Sequence, residues 1–315
     1  MASDGKKIIV VFGATGAQGG SVIKSILGDS KAAAQFKIRA VTRDPSKPSA
    51  KALADQGCEL VTADLNNEKD VARVFKGAYG AFAVTNFWET GDPDVEIKQG
   101  KNVADAAKET GLQHLVWSSL IDATKLSKGV LAKVAHFDSK AAVEEYIRTL
   151  GINASFFRPG YYMSNLLRGG IVPTADGTFS VPLPIPTSAP IPVIDADADS
   201  GKFVKAIFLA GDKAFGKTYD AAVAYMTTAE IAAEWSAVTG KKAQAVVADP
   251  KAWKAQLVSY GLSEVAAEEL YQNMRLMDEF GYYGGAPLEE SQKILDEKLT
   301  TLKEFIEKQH QWKNF

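Results

Sequence analysis

Gly13-Ala14-Thr15-Gly16-Ala17-Gln18-Gly19 follows the apolar run of residues 7–12 and precedes a segment whose apolar side chains recur at helical spacing. In such a strand–turn–helix setting, Gly13 permits the tight turn and Gly16 lets a pyrophosphate approach the backbone. Gly19 permits close packing of the helix against the strand. A purely structural glycine turn is the simpler alternative, but the flanking patterns favour a dinucleotide-binding loop.

The first half of the chain alternates short β-rich runs with amphipathic helical patterns. The strand-like runs are residues 7–12, 37–42, 59–62, 80–85, 115–118 and 152–157. This alternation predicts parallel strands joined by crossover helices, with helices on both faces of the sheet. We therefore predict an α/β fold, in which a Rossmann-like doubly wound parallel sheet is followed by a smaller C-terminal α/β domain.

Two domains are expected. Residues 1–160 should form the Rossmann-like domain, and residues 161–315 the smaller domain that completes a cleft, with part of residues 190–225 returning to the first domain. Residues 169–192 are rich in proline and glycine, which predicts a long irregular segment. Near the C-terminus, residues 288–309 predict a helix whose apolar stripe belongs to the core, with a homodimer interface as the alternative.

Composition excludes several classes of function. The 315 residues contain 36 basic and 38 acidic side chains, so no net field attracts nucleic acid or an anionic membrane. The single cysteine, Cys58, permits no internal disulfide. The apolar run of residues 8–12 is too short for a signal segment or a membrane span. We expect an intracellular protein, located in the cytoplasm or also in the nucleus.

The end of the second predicted strand indicates which dinucleotide is bound. An NAD site places a carboxylate there for the ribose hydroxyls, whereas this chain has Arg43, with Lys47 four residues further on. A guanidinium and a second cation can hold a 2′-phosphate, which favours NADP(H). Asp44 leaves open a ribose-binding carboxylate, and Arg43 and Lys47 could instead form a solvated surface pair.

Further candidate residues follow the next strands. Asp64 is placed to meet the adenine edge, and Thr85, Asn86 and Phe87 lie where a nicotinamide ribose is expected. We predict no metal site, because the alternating aspartates of residues 195–199 lack the glycine and the glutamate of a calcium loop. Asp199 or Ser200 is more plausibly the N-cap of the next helix.

The candidate catalytic residues depart from the short-chain dehydrogenase pattern. In that pattern a serine at a strand end orients the carbonyl, and a Tyr-x-x-x-Lys pair supplies the acid. Here Ser118 occupies the serine position, but His136 stands in the tyrosine position, four residues before Lys140. Histidine can donate a proton near neutral pH, and Lys140 could contact the nicotinamide ribose or act as a base.

With these motifs in place, the chain resembles the NmrA-like family of atypical short-chain dehydrogenases, which includes regulators and fungal biosynthetic enzymes. The matching segments cover nearly the whole chain: residues 13–19, Val84-Thr-Asn-Phe-Trp-Glu89, His136-Phe-Asp-Ser-Lys140, Glu144-Glu-Tyr146, Asn165-Leu-Leu167 and Phe280-Gly-Tyr-Tyr-Gly-Gly285.

The resemblance implies a cofactor held in a cleft between the two domains. It implies that the glycine loop through Gln18 holds the pyrophosphate and that residues 43–47 hold the 2′-phosphate. The adenine side and the nicotinamide half would be met by two further groups: Asp64 and Leu65, and then Lys140 with Tyr162, Met163, Ser164 and Asn165.

Two functions follow as hypotheses. The first is a redox-sensing regulator that binds NADP(H), lacks the Tyr–Lys pair and acts through a protein partner. The second is an NADPH-dependent reductase of a small apolar carbonyl or enone, in which Lys140, His136 and Ser118 are the candidate catalytic residues.

Overall fold

The computed structural model describes residues 5–312. The strands in this range are β1 (Lys7–Val11), β2 (Phe36–Thr42), β3 (Glu59–Thr62), β4 (Gly80–Ala83), β5 (His114–Ser118), β6 (Ala154–Pro159), β7 (Tyr161–Tyr162), β8 (Val172–Pro173), β9 (Phe179–Leu183), β10 (Ile191–Ile194), β11 (Thr218–Ala221), β12 (Ala224–Met226) and β13 (Ala243–Val247).

The described residues also form thirteen α-helices. They are α1 (Ala17–Gly28), α2 (Ser30–Gln35), α3 (Pro48–Asp55), α4 (Glu68–Phe75), α5 (Pro93–Glu109), α6 (Ala123–Leu126), α7 (Ala135–Thr149), α8 (Ala196–Ala210), α9 (Thr228–Thr239), α10 (Pro250–Ser259), α11 (Glu264–Glu279), α12 (Glu289–Gln292) and α13 (Leu302–Lys308). Short 3₁₀ turns cover Phe87–Glu89, Met163–Leu167, Gly211–Ala214 and His310–Trp312.

The main sheet confirms the predicted Rossmann-like fold. Seven strands are ordered β3-β2-β1-β4-β5-β6-β11, and every adjacent pair is parallel. The strand order reverses between β1 and β4, so the connections after these two strands leave on opposite faces. A crevice therefore opens at the carboxyl ends of β1 and β4, where doubly wound sheets bind their ligands.

Helices cover both faces of this sheet. On one face, α1 and α8 pack together beneath β1, β2 and β6, and on the other face α4, α5 and α7 pack against β4 and β5. The contact between α1 and α8 is very close, since a Cβ on Gly201 would lie 2.0 Å from the carbonyl oxygen of Ser21. Only glycine fits at this crossing.

The remainder of the chain builds a second core. Its two small sheets are ordered β12-β10-β7 and β13-β9-β8, and α9, α11 and α13 contribute buried apolar side chains to the same cluster. β11 is an exception, because Thr218–Ala221 pairs with β6 at the edge of the main sheet, although it follows β7 to β10 of the small sheets in the chain.

Three local predictions were wrong. Residues 169–192 are not irregular throughout, because β8, β9 and the start of β10 lie within them. Pro182 and Pro192 even stand in β9 and β10, the central strands of their three-stranded sheets. Residues 288–309 form two short helices instead of one. The N-cap of α8 is Asp195, whose side chain accepts from the Ala198 amide, and Asp199 instead accepts from Thr300.

Candidate functional site

A large cleft of about 1160 Å³ opens at the carboxyl ends of β1, β2, β4, β5 and β6. It extends from the glycine loop to side chains of the second core. The predicted site residues on its wall are Gly13, Ala14, Thr15, Gly16, Ala17, Gln18, Gly19, Arg43, Lys47, Asp64, Leu65, Thr85, Asn86, Phe87, Ser118, His136, Lys140, Tyr162 and Asn165.

The remaining two predicted residues do not line this cleft. Met163 is fully buried in the second core, and neither Met163 nor its neighbour Ser164 is part of the cleft wall. Both belong to the 3₁₀ turn Met163–Leu167. In a 3₁₀ turn successive side chains point in different directions, so Tyr162 and Asn165 face the cleft while Met163 faces the core.

The glycine loop has the geometry of an anion cradle. Gly13 has a φ of +61°, which favours glycine, and a Cβ on Gly19 would lie 2.2 Å from the carbonyl oxygen of Gly13. Gly16 is the N-cap of α1 and supplies no side-chain acceptor for the first helical N–H groups. These donors therefore remain open to an anion at the helix N-terminus.

The segment after β2 carries two basic residues and one acidic residue, Asp44, whose carboxylate is already hydrogen-bonded. The Asp44 carboxylate accepts hydrogen bonds from the backbone N–H and the hydroxyl of Ser46, at 2.9 and 2.6 Å. These bonds lower the pKa of Asp44. Arg43 is exposed and forms an ion pair with Glu89. Arg43 and Lys47 both line the cleft and form its cationic corner. Asp44 is hydrogen-bonded within its own turn.

Ser118 is connected to the glycine loop. Its hydroxyl donates to Gln18 Oε1 at 2.7 Å, and Gln18 Nε2 donates to the Tyr162 hydroxyl at 2.6 Å. Burial raises the pKa of Tyr162 to about 12, so its phenol stays protonated at neutral pH. These hydrogen bonds connect β5, the glycine loop and the start of the second core, and the Ser118 hydroxyl is the first donor in the series.

Lys140 belongs to a buried polar cluster. Its ammonium forms an ion pair with Glu96, whose carboxylate also accepts from the hydroxyls of Thr85, at 2.7 Å, and Ser139. Glu96 is 2% exposed and Lys140 is 8% exposed. Burial lowers the pKa of Lys140, and the charge of Glu96 opposes that shift. Glu96 therefore fixes the position of the Lys140 side chain on the cleft wall.

His136 is held from the opposite side of the cleft. Its Nδ1 and its backbone N–H both bond Glu269 Oε1, at 2.6 and 2.7 Å. The ring also contacts Phe87 and Trp88, with centroids 5.9 and 5.0 Å away. With Nδ1 engaged by Glu269, the Nε2 position remains for another partner.

Sequence reasoning missed both Glu96 and Glu269. Glu96 lies in the first turn of α5, where acidic residues are common because of the helix dipole. Glu269 lies within α11, far from His136 in sequence. In the sequence each is an acidic residue on an amphipathic helix. Nothing in the sequence shows that these side chains are buried, because their partners are distant along the chain.

The C-terminal half of the chain contributes apolar side chains to the cleft wall. Leu257, Leu270, Met274 and Tyr282 line it there, together with the polar side chains of Asn165, Arg168, Tyr260 and Asn273. Leu257 belongs to α10, a helix without a buried residue, whereas Leu270, Met274 and Tyr282 belong to α11 or the turn after it. These residues form a chamber that combines apolar side chains with a few polar ones, as ligand pockets usually do.

Two further properties concern residues 5–312. Within that range no three histidine, cysteine, aspartate or glutamate side chains are grouped as metal ligands would be. None of the helices described there combines the length and the apolar character needed to cross a membrane.

Fold and cleft together define a dinucleotide-binding protein of the Rossmann class with a C-terminal lobe over the cofactor crevice. The model of the NmrA-like family matches residues 5–306, and the chain belongs to that family. The NmrA-like oxidoreductase malD of Malbranchea aurantiaca is 33% identical over 260 residues, which are 77% of this chain and 76% of malD. For notA of an Aspergillus species the identity is 36% over 66% of each chain, just under two thirds.

Solved structures show the same fold. The negative transcriptional regulator NmrA in complex with NADP matches with a TM-score of 0.79 and 25% identity, over 96% of this chain and 95% of that one. The NADPH-dependent quinone oxidoreductase QOR2 of Escherichia coli, complexed with NADPH, matches with a TM-score of 0.77 and 24% identity, over 95% and 98% of the two chains.

Proposed function

We propose that this protein is an NADPH-dependent reductase of apolar aromatic carbonyl or enone compounds. The observation that carries the proposal is the continuity of the cleft, which has the glycine loop at one end and the chamber with its apolar side chains at the other. Its volume of about 1160 Å³ exceeds that of most single-ligand pockets, which are roughly 300–1,000 Å³. A dinucleotide and a second ligand can therefore lie together in it.

The described residues fit NADP(H). The Gly19 position has no room for a Cβ, and the N-terminus of α1 has no side-chain cap, as a pyrophosphate site requires. Arg43 and Lys47 would hold the 2′-phosphate, which would replace the Glu89 carboxylate as the partner of Arg43. Structures of NmrA with NADP and with NAD exist, so the family resemblance is compatible with either dinucleotide.

The reaction needs one hydride and one proton. When bound, NADPH supplies the hydride that reduces the carbonyl or the conjugated double bond of the substrate. Because Glu269 engages Nδ1 of His136, the imidazole can hold a proton at Nε2 and donate it to the reduced substrate, after which it is reprotonated from solvent. Trp88 and Phe87 hold the ring in place on the other side.

Lys140 would have a different task. Its ammonium is held by Glu96 and lies 3.4 Å from the Thr85 hydroxyl, directly after β4 where the nicotinamide ribose is expected. We assign Lys140 to orienting the ribose hydroxyls, not to proton transfer. The Oγ of Thr85 and the Nζ of Lys140 would then bind neighbouring oxygens of the sugar.

The test combines calorimetry with turnover. Titration with NADPH and NADH should show a preference for NADPH that falls about tenfold in Arg43→Ala, since one charge-assisted contact is lost. Oxidation of NADPH in the presence of aromatic enones should then be observed. Tight binding of NADPH without its oxidation in the presence of any of the enones would contradict the reductase proposal.

A redox sensor remains the second candidate, and a specific arrangement favours it. Ser118 donates to Gln18, and Lys140 is paired with Glu96, so neither is a free catalytic group. A sensor must bind NADP⁺ and NADPH with different affinities, because a ligand shifts a conformational equilibrium only by its differential affinity. Equal affinities would remove this alternative.

A further inference from the structure

Asn273 is an unpaired amide in the wall of the cleft. The residue is 6% exposed, and its Nδ2 has no hydrogen-bond partner among the described residues. Buried polar groups are almost always paired, because an unmet donor costs free energy that an apolar side chain would not. An unpaired amide beside a ligand cavity therefore indicates that a ligand supplies the missing partner.

The surroundings of Asn273 restrict that ligand. Asn273 follows Glu269 by four residues on α11, so both side chains lie on one face of the helix, one turn apart. Glu269 holds His136, while Leu270 and Met274 beside Asn273 are apolar. On α11 the chamber therefore presents the amide of Asn273 between apolar side chains, about one helical turn from the residue that holds the imidazole.

We propose that Asn273 determines substrate specificity by donating a hydrogen bond to a second oxygen atom of an aromatic carbonyl substrate. The first oxygen or the conjugated carbon is the reacting centre near His136. An amide nitrogen is a donor only, so the ligand must present an acceptor at that point. This inference rests on the proposed reductase function, of which it names the substrate class.

The proposal has a signature in stability as well as in binding. If the amide of Asn273 serves only the ligand, its replacement by leucine, which has a similar size, removes an unmet buried donor. The melting temperature of Asn273→Leu should then rise, since an unpaired buried polar group destabilises the ligand-free fold. A structural hydrogen-bonding role would give the opposite shift.

The experiment compares benzylideneacetone with its para-acetyl derivative, whose acetyl group adds one carbonyl acceptor. Binding is followed by tryptophan fluorescence with NADP⁺ present, which cannot deliver hydride; Trp88 lies in the cleft and is 47% exposed. The natural protein should bind the acetyl derivative about tenfold more tightly, the gain from one net hydrogen bond. Asn273→Leu and Asn273→Asp, which both lack the donor, should lose this preference.

The outcomes separate the inference from the proposed function. Loss of the preference in both variants supports the role of Asn273, even if no enone is reduced, and in that case only the reductase proposal fails. Turnover of both ligands with an unchanged preference in the variants overturns the role of Asn273 and leaves the reductase. Binding of neither ligand to the natural protein, or a lower melting temperature of Asn273→Leu, also overturns it.

Discussion

One oxygen of the Glu269 carboxylate accepts both the backbone N–H and the Nδ1 of His136, at 2.7 and 2.6 Å. Two bonds to a single residue fix the position of the imidazole as well as its orientation. The carboxylate comes from α11 and the imidazole from the first turn of α7, so the two parts of the chain are connected at the cleft.

Glu269→Gln should therefore impair turnover more than binding. If His136 is the proton donor, loss of its orienting carboxylate should lower kcat about 100-fold, the lower end of the usual contribution of general acid catalysis, with NADPH affinity retained. Steady-state kinetics with an enone and calorimetry with NADPH measure the two effects. The control is Glu268→Gln, because Glu268 bonds Lys254 and Gln272 and not His136. Equal rates in both variants would remove His136 from the mechanism.

The pair of Lys140 and Glu96 should be important for stability. Lys140→Met leaves the Glu96 carboxylate buried without its cation, which should lower the free energy of unfolding by about 3–5 kcal/mol. Lys140→Met with Glu96→Gln should recover most of this loss. Urea denaturation measures both. In the exposed pair of Lys125 and Glu145, Lys125→Met should leave the stability nearly unchanged, because solvent screens that pair. A comparable loss at both lysines would contradict the assignment.

Two adjacent glycines provide a matched test of the loop. A Cβ at Gly19 would lie 2.2 Å from the Gly13 carbonyl oxygen, whereas one at Gly20 would lie 3.5 Å from that of Ala14, an ordinary contact. Gly19→Ala should displace the loop and weaken NADPH binding at least tenfold, or about 1.4 kcal/mol. Gly20→Ala should bind normally. Calorimetry compares the two variants, and equal affinities would show that the pyrophosphate does not lie on this loop.

His114 should make the protein sensitive to acid. Its Nε2 lies 2.8 Å from the Ser155 hydroxyl, which itself donates to the Ala214 carbonyl, so His114 is the neutral donor. Burial lowers its pKa from 6.5 to about 4. A base with a lowered pKa stabilises the fold above pH 6.5, and this contribution is lost as the pH falls toward 4.

His114→Phe removes this titration and retains a ring beside Phe208 and Phe215. Between pH 7 and pH 5 the natural protein should lose about 2 kcal/mol more of its unfolding free energy than the variant does. Urea denaturation at the two pH values measures the difference. An identical pH dependence in the two proteins would show that folding does not lower the pKa of His114.

The sequence predicted the parts of the structure that depend on local patterns. The glycine spacing of residues 13–19 was sufficient to predict the dinucleotide-binding loop. The alternation of strand and helix patterns was sufficient to predict the parallel sheet. The cationic corner at Arg43 also follows from its position after β2. What the sequence did not predict are contacts between distant residues, such as Glu96 with Lys140 or Glu269 with His136, because no local pattern specifies them.

The errors have a similar cause. Residues 169–192 read as irregular because proline and glycine are frequent there, yet β9 pairs with β13, which lies sixty residues further on. Pairing with a remote strand outweighed the local composition. In the region of residues 288–309, Leu295 and Leu299 pack against the Rossmann core while Leu302 and Ile306 pack against the second core. A stripe that serves two cores need not be one helix.

The return of β11 to the main sheet has a consequence for how this protein is made. The last strand of that sheet emerges from the ribosome more than fifty residues after β6, its neighbour. Until then the backbone groups on the outer side of β6 have no strand partner, and unpaired strand edges are prone to aggregation. We therefore expect the nascent nucleotide-binding half to depend on chaperones or on the growing second lobe until Thr218–Ala221 is synthesised.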